Sequence, residues 1–381
     1  MSGVADLLKG KRICICAGSG GVGKTTTSAA IAMGMAARGK RVVVVTIDPA
    51  KRLANSLGLR ALGNEPRLVA PERFAAHGLE MRGELWAMML DAKRTFDELI
   101  ERLAADERAR DEVLSNRIYQ ELSSAVAGSQ EFTAIAKLYE LDQEGGYDLL
   151  VLDTPPSRNA LDFLDAPDRL TQFFEGRALQ VFLRPTGVAT RLVGAGTAMV
   201  FSVLKRVTGV DLLADLGTFF RALGGMIGGF RERAEQVGRL LEDPATTFLL
   251  ITSPEREPID EAIFFRRKLR EAGMPFGGVV VNRVHHDLGA YDPDAVEREL
   301  AGELGEPLAA KVAANLADYH VLATRDAAGI ARLRSELGRA PLLKVPQFDA
   351  DVHDVEGLLR IHRYLFASRA EREAMLAEVV A

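Results

Sequence analysis

The chain has 381 residues, 48% of them hydrophobic, a formal net charge of −5 and two cysteines. That length and apolar content allow a large core, organised as one large domain with an insertion or as two domains. The acidic balance excludes a general attraction to nucleic acid. Two cysteines, with no secretory leader before the first apolar run, point away from an oxidising compartment and toward the cytoplasm.

In chain order, Arg12 to Ala17 is a short apolar run with strand character, followed by a glycine-rich loop and an Ala/Met-rich helical stretch that Gly39 closes. A second strand is expected over 41–47, ending at Asp48. The segment 84–144 is long, charged and helical in period. Further strands are expected over 147–152, 247–252, 277–282 and near 341–345. Near-continuous Val, Leu and Ile in these runs marks strands covered on both faces, and their alternation with helices marks an α/β fold with a mostly parallel sheet. In such a sheet the ligand lies at the carboxyl ends of the strands, where Gly18, Asp48, Asp153 and Asn282 all fall.

Gly18 to Thr25 reads G-S-G-G-V-G-K-T, a complete G-x-x-x-x-G-K-[ST] phosphate-binding loop, and it sits in the required order of strand, loop and helix. Its glycines let successive backbone N–H groups turn inward around an anion at the positive end of a helix. Gly20, Gly21, Val22, Gly23, Lys24, Thr25 and Thr26 are the expected phosphate contacts. Lys24 reaches the β- and γ-phosphates, and the Thr25 hydroxyl is placed for Mg²⁺. Asp153 ends an apolar strand and is the second candidate for the metal, directly or through water.

The segment 161–241 is the expected helical hydrophobic insertion between two parts of the nucleotide domain, 1–160 and 242–381. It is rich in Phe, Leu, Met and Gly, with apolar stretches at Leu192 to Leu204 and Leu216 to Phe230. Arg191 and Lys205 bound the first stretch and Arg221 divides the second, so neither supplies the roughly 20 apolar residues of a membrane span. Two readings remain: helices that complete the protein's own core, and an adaptable apolar surface for varied clients, which Met and Gly favour. Met199, Phe201, Met226 and Phe230 are the candidate client contacts under the second reading.

Four stretches carry a family resemblance: the loop core G-G-V-G-K-T-T followed by D-P-A at Asp48 to Ala50, L-D-T-P-P at Leu152 to Pro156, V-V-V-N-R at Val279 to Arg283, and V-P-Q-F-D at Val345 to Asp349. In this order they resemble the deviant-Walker-A ATPases of the ArsA/GET type, the family of the arsenite-pump ATPase and of the ATPase that targets tail-anchored membrane proteins. The resemblance covers most of the chain. It implies an ATPase that binds ATP or ADP with Mg²⁺ and works as a homodimer or as a heterodimer with a related subunit. It also implies that Asp48 positions the attacking water, that Thr154 to Pro156 form switch II, and that Asn282 reads adenine with Pro346 to Phe348 as the other wall. Transmembrane segments of client proteins are the implied cargo of 161–241, with at most transient membrane association.

Departures from the family pattern bear on function. The second loop position, normally a signature lysine that reaches the partner's nucleotide, is Ser19; Lys51, Arg52 and Arg158 are candidate replacements. Cys14 and Cys16 are the only thiols, so the thiol sites of arsenite-pump relatives and the C-x-x-C zinc pair of tail-anchored targeting relatives have no counterpart. The two cysteines are two apart on one strand and read as buried apolar residues. His285 and His286 read as a solvated loop after a strand. A Min/Par-like nucleotide switch for positioning or regulation is the alternative, although the mixed charges of the C-terminal tail suit an anionic surface poorly. A divergent arsenite-transport subunit stands third.

Overall fold

The structure, a computed structural model, describes residues 3–48, 50–117, 119–120, 130–155, 219, 222–286, 289 and 292–378. The chain divides into two compact units: Met1–Met89, Gly145–Ala160 and Asp243–Ala381 form the first, Leu90–Glu144 and Leu161–Glu242 the second. The division differs from the one expected. The charged helical stretch leaves the nucleotide unit at residue 90 and joins the insertion.

The first unit is built on an eight-stranded sheet. In chain order the strands are β1 (Ile13–Ala17), β2 (Arg41–Thr46), β3 (Arg67–Leu68), β4 (Glu84–Met89), β5 (Leu149–Asp153), β6 (Thr246–Thr252), β7 (Phe276–Val284) and β8 (Leu342–Pro346). Their spatial order is β3-β4-β2-β5-β1-β6-β7-β8, with every pair parallel except β3 and β4. All six expected strands are present. β1, β5 and β6 are buried along their whole length, as Val/Leu/Ile runs covered on both faces should be.

β4 is the strand the sequence pattern hid. Its residues, Glu-Leu-Trp-Ala-Met-Met, include no β-branched side chain and adjoin a helical segment, so local propensity favours helix. Register with β2 overrides that preference: Val43 lies opposite Trp86, and Arg41 pairs with Glu84 at 2.9 Å.

Helix Lys24–Ala37 leaves the glycine loop and is buried through most of its length. Its small side chains let helix Val355–Phe366 approach closely. A Cβ added at Gly34 would stand 2.2 Å from the Phe366 ring. This pairing seats the C-terminal part of the chain against the loop's own helix.

The second unit is helical in its described residues, with helices Ala92–Leu103, Glu107–Leu114, Gln130–Glu144 and Ile227–Glu242. Asp91 and Asp106 cap the first two, accepting from the backbone N–H groups of Arg94 and Ala109. Phe230 stacks on Phe96 with ring centroids 5.6 Å apart. Met226 and Phe230 are both buried, so these two are core residues here and not exposed client contacts. Met199, Phe201 and Arg158 lie outside the described residues. Among the described residues no helix is long and apolar enough to cross a membrane.

Candidate functional site

The glycine loop bends back over the carboxyl end of β1 at two points that only glycine satisfies. A Cβ on Gly18 would stand 1.9 Å from the carbonyl oxygen of Ile251 on β6. Gly23 has φ 89°, in the left-handed region, and a Cβ there would meet Asn282 Nδ2 at 2.4 Å. The loop therefore ends directly at the amino terminus of helix Lys24–Ala37, where unpaired N–H groups and the helix dipole favour a phosphate.

Lys24 is buried, and its Nζ donates to the Ser19 carbonyl at 2.7 Å, which holds the ammonium within the curve of the loop. Its pKa is lowered by burial, a shift opposed by the nearby carboxylates of Asp153, Asp48 and Glu261. Asp153, at the end of β5, is also buried. Its Oδ2 accepts from Thr25 Oγ1 at 2.7 Å and from Thr46 Oγ1 at 2.8 Å, whereas its Oδ1 has no hydrogen-bond partner among the described residues. Burial pushes the carboxyl pKa up to about 6 against the pull of those two hydroxyls and Lys24. Thr154 binds back to the Cys16 carbonyl through both its N–H and its hydroxyl, so the chain leaving β5 is anchored to β1.

Asp48 follows β2 in a tight turn. Its Oδ1 accepts from the Ala50 N–H at 2.9 Å, and Arg52 pairs with Oδ2 at 3.2 Å. Arg52 is thus committed within its own chain. Lys51 has φ 55° and is exposed, with no side-chain partner among the described residues. Ser19 is turned away from any such role: its hydroxyl donates to Glu261 on the helix that follows β6.

A cavity of about 470 Å³ opens over the loop, a volume suited to a mononucleotide-sized ligand. Gly21, Gly23, Lys24, Thr25, Thr26, Asp48, Thr154, Asn282, Pro346 and Phe348 line it, bringing all four quoted stretches together. Gly20 is exposed and Val22 buried, and neither lines the cavity. Asn282 does more than face the cavity: its Nδ2 donates to the Val22 carbonyl at 2.9 Å and so clamps the loop.

Gln347, within the expected wall Pro346 to Phe348, also lines the cavity, whereas Asn55, Ser56, Arg283, Asp351 and His353 were not expected from the sequence. Of these only Arg283 carried a signal, by standing inside a quoted motif. The Asp351–His353 loop has no periodicity to read. Arg283 takes φ 59° within β7, where pairing with β8 shifts register between Val281 and Val284. His285 is not a solvated loop residue. Its Nδ1 and its backbone N–H both bond to the buried carboxylate of Asp326, at 2.7 and 2.9 Å.

A parallel sheet with a phosphate-binding loop after β1, a carboxylate after the adjacent β5 and a nucleotide-sized cavity over the loop defines a P-loop nucleoside triphosphatase. The family model described as anion-transporting ATPase matches residues 11–297, and the chain belongs to that family and is an ATPase. It is 24% identical over 365 residues to a putative arsenical pump-driving ATPase 1 of Aquifex aeolicus, covering 93% of this chain and 78% of that protein. It is 24% identical over 354 residues to the ATPase get3 of Schizosaccharomyces japonicus, covering 91% and 92%. With the ATPase GET3A of Arabidopsis thaliana the identity is 27% over 284 residues, covering 74% and 68%.

Proposed function

We propose that this ATPase uses Mg²⁺ and couples hydrolysis to the handling of hydrophobic membrane-protein segments by its helical unit, in the cytoplasm and as a dimer. The observation that carries the nucleotide part is Asp153: one oxygen held by two hydroxyls, the other buried without a partner among the described residues. A buried orphan oxygen beside the loop threonine suits a divalent cation or its bound water. Thr25 and Asp153 are the residues that would hold the metal, which when bound neutralises charge developing on the β- and γ-phosphates. Lys24 and the loop N–H groups bind the phosphates, Asp48 orients the attacking water, and Asn282, Pro346 and Phe348 receive the base. Residues 1–89, 145–160 and 243–381 form the catalytic part in this reading.

The pH dependence has opposite signs for stability and for activity. Asp153 has a folded pKa of about 6, raised from 3.8, so the folded state binds the extra proton between those values. Its contribution to stability is therefore fully present below the lower value and lost as pH rises through about 6. Metal binding needs the ionised form, so hydrolysis should fall about tenfold per pH unit below the midpoint. Raising Mg²⁺ should move that midpoint to lower pH, because metal and proton compete for one carboxylate. A pH–rate profile insensitive to Mg²⁺ between pH 5 and 7 would remove Asp153 from the metal site, those limits being about one unit either side of its pKa.

Support for the cargo is the resemblance together with the apolar, Met- and Gly-rich composition of 161–241. Replacing Met199 and Phe201 with Ser should reduce photocrosslinking of a hydrophobic helical peptide severalfold while leaving ATP binding intact. Unchanged capture of the peptide by the double variant would count against this segment as the receiving surface. The arsenical-pump function printed for the Aquifex relative is less well supported here. Cys14 and Cys16 are buried in β1, and the Cys14 thiol pKa is raised by its hydrogen bond to Cys16 and by burial, which disfavours the thiolate that metalloid binding needs.

A further inference from the structure

A second cavity of about 180 Å³ lies beyond the end of β7, lined by Val284, His285, His286, Ala323, Ala327, Ile330, Lys344 and Pro346. It shares only Pro346 with the nucleotide cavity. Val284, Ala323, Ala327, Ile330 and Pro346 make most of its wall apolar. The polar part is His285, His286 and Lys344. Lys344, on β8, is exposed at the edge of the cavity and has no ion-pair partner among the described residues. Asp326, beside the cavity, is already engaged with His285 and with Arg325, at 2.7 and 3.2 Å. That pairing fixes the His285 ring, which also packs edge-on to Tyr319.

An apolar pocket with an uncompensated cation at its rim, in a chain of net charge −5, is matched to an amphiphilic anion. We propose that this cavity binds a small branched-chain carboxylate, its alkyl end against Ile330, Ala323 and Val284 and its carboxylate on Lys344. At about 30 Å³ per water molecule, the volume admits about six waters or an acid of about five carbons. The proposal concerns a site separate from the nucleotide cavity and stands whether or not the helical unit carries cargo.

The test is isothermal titration of the full chain with sodium isovalerate, in the absence and presence of a saturating non-hydrolysable ATP analogue. Saturable one-to-one binding is expected in both conditions. Lys344→Met should weaken it at least about tenfold, since hydrogen bonds to charged groups are the stronger class. Ala327→Phe should abolish it by filling the cavity; both positions are exposed, so both variants should fold, with melting temperature as the check. The neutral isostere isovaleramide should bind at least about tenfold more weakly for the same reason. Absence of saturable binding, displacement by the nucleotide analogue, equal binding of the amide, or indifference to both variants would each overturn the proposal. Binding of N-acetyl-glycyl-valine in place of isovalerate would likewise overturn it and assign the site to a protein C-terminus.

Discussion

Lys24→Ala is expected to remove most hydrolysis, about 10²- to 10³-fold, with a parallel loss of nucleotide affinity, because a preorganised buried donor at a phosphate is worth about that much. The ammonium sits among Asp153, Asp48 and Glu261, whose charges oppose the lowering of its pKa by burial. Removing it leaves those carboxylates unbalanced as well, so the variant should also repel a polyanion. Asp48→Asn provides the contrast. The amide retains an acceptor for the Ala50 N–H but loses the charge that pairs with Arg52. ATP should still bind while single-turnover hydrolysis slows, since in the proposed mechanism the residue acts on the attacking water and not on phosphate binding. Equilibrium binding of a fluorescent ATP analogue alongside single-turnover rates separates the two effects. Wild-type turnover in Asp48→Asn would remove that aspartate from the mechanism.

The second large effect is expected at Lys51. In the dimer the resemblance implies, a cation supplied across the interface is worth about 10³ to 10⁵ in rate. The position that carries it in relatives is Ser19, whose hydroxyl is bound to Glu261. Arg52 is held by Asp48. Lys51, exposed and without a side-chain partner among the described residues, stands next to the same turn and has the reach of a free side chain. Lys51→Ala should therefore lower turnover by at least about 10³ while leaving ATP affinity unchanged. The loss should be complementable in mixed dimers, where a subunit intact at Lys51 restores hydrolysis on a partner carrying the substitution. If Lys51→Ala is silent and a related subunit bearing the signature lysine accelerates hydrolysis instead, the working unit is a heterodimer.

Much of the nucleotide unit was legible before any coordinates. Buried parallel strands require long apolar runs, and β1, β2, β5, β6, β7 and β8 all display them. A phosphate loop requires glycines and a lysine at set spacing, because backbone N–H groups can converge on an anion only where side chains do not intrude. The strand rule fails at β4, whose Leu, Ala and Met side chains carry no β signal of their own and whose conformation is imposed by β2. It fails as well for cargo contacts, since the apolar character of Met226 and Phe230 cannot distinguish a surface that receives a ligand from a ring stacked on Phe96.

The chemistry of the loop, its threonine and its strand-end carboxylates was determined by local sequence, since each function needs a particular residue type at a particular distance along the chain. Pairings between segments far apart in sequence were decided by the tertiary structure alone. Asn282 clamps the loop through Val22, 260 residues away; Ser19 is taken by Glu261; and Asp326 captures His285. A hydrogen-bonding side chain announces only that it needs a partner. Which partner it finds depends on how the sheet orders its strands and on what burial leaves within reach.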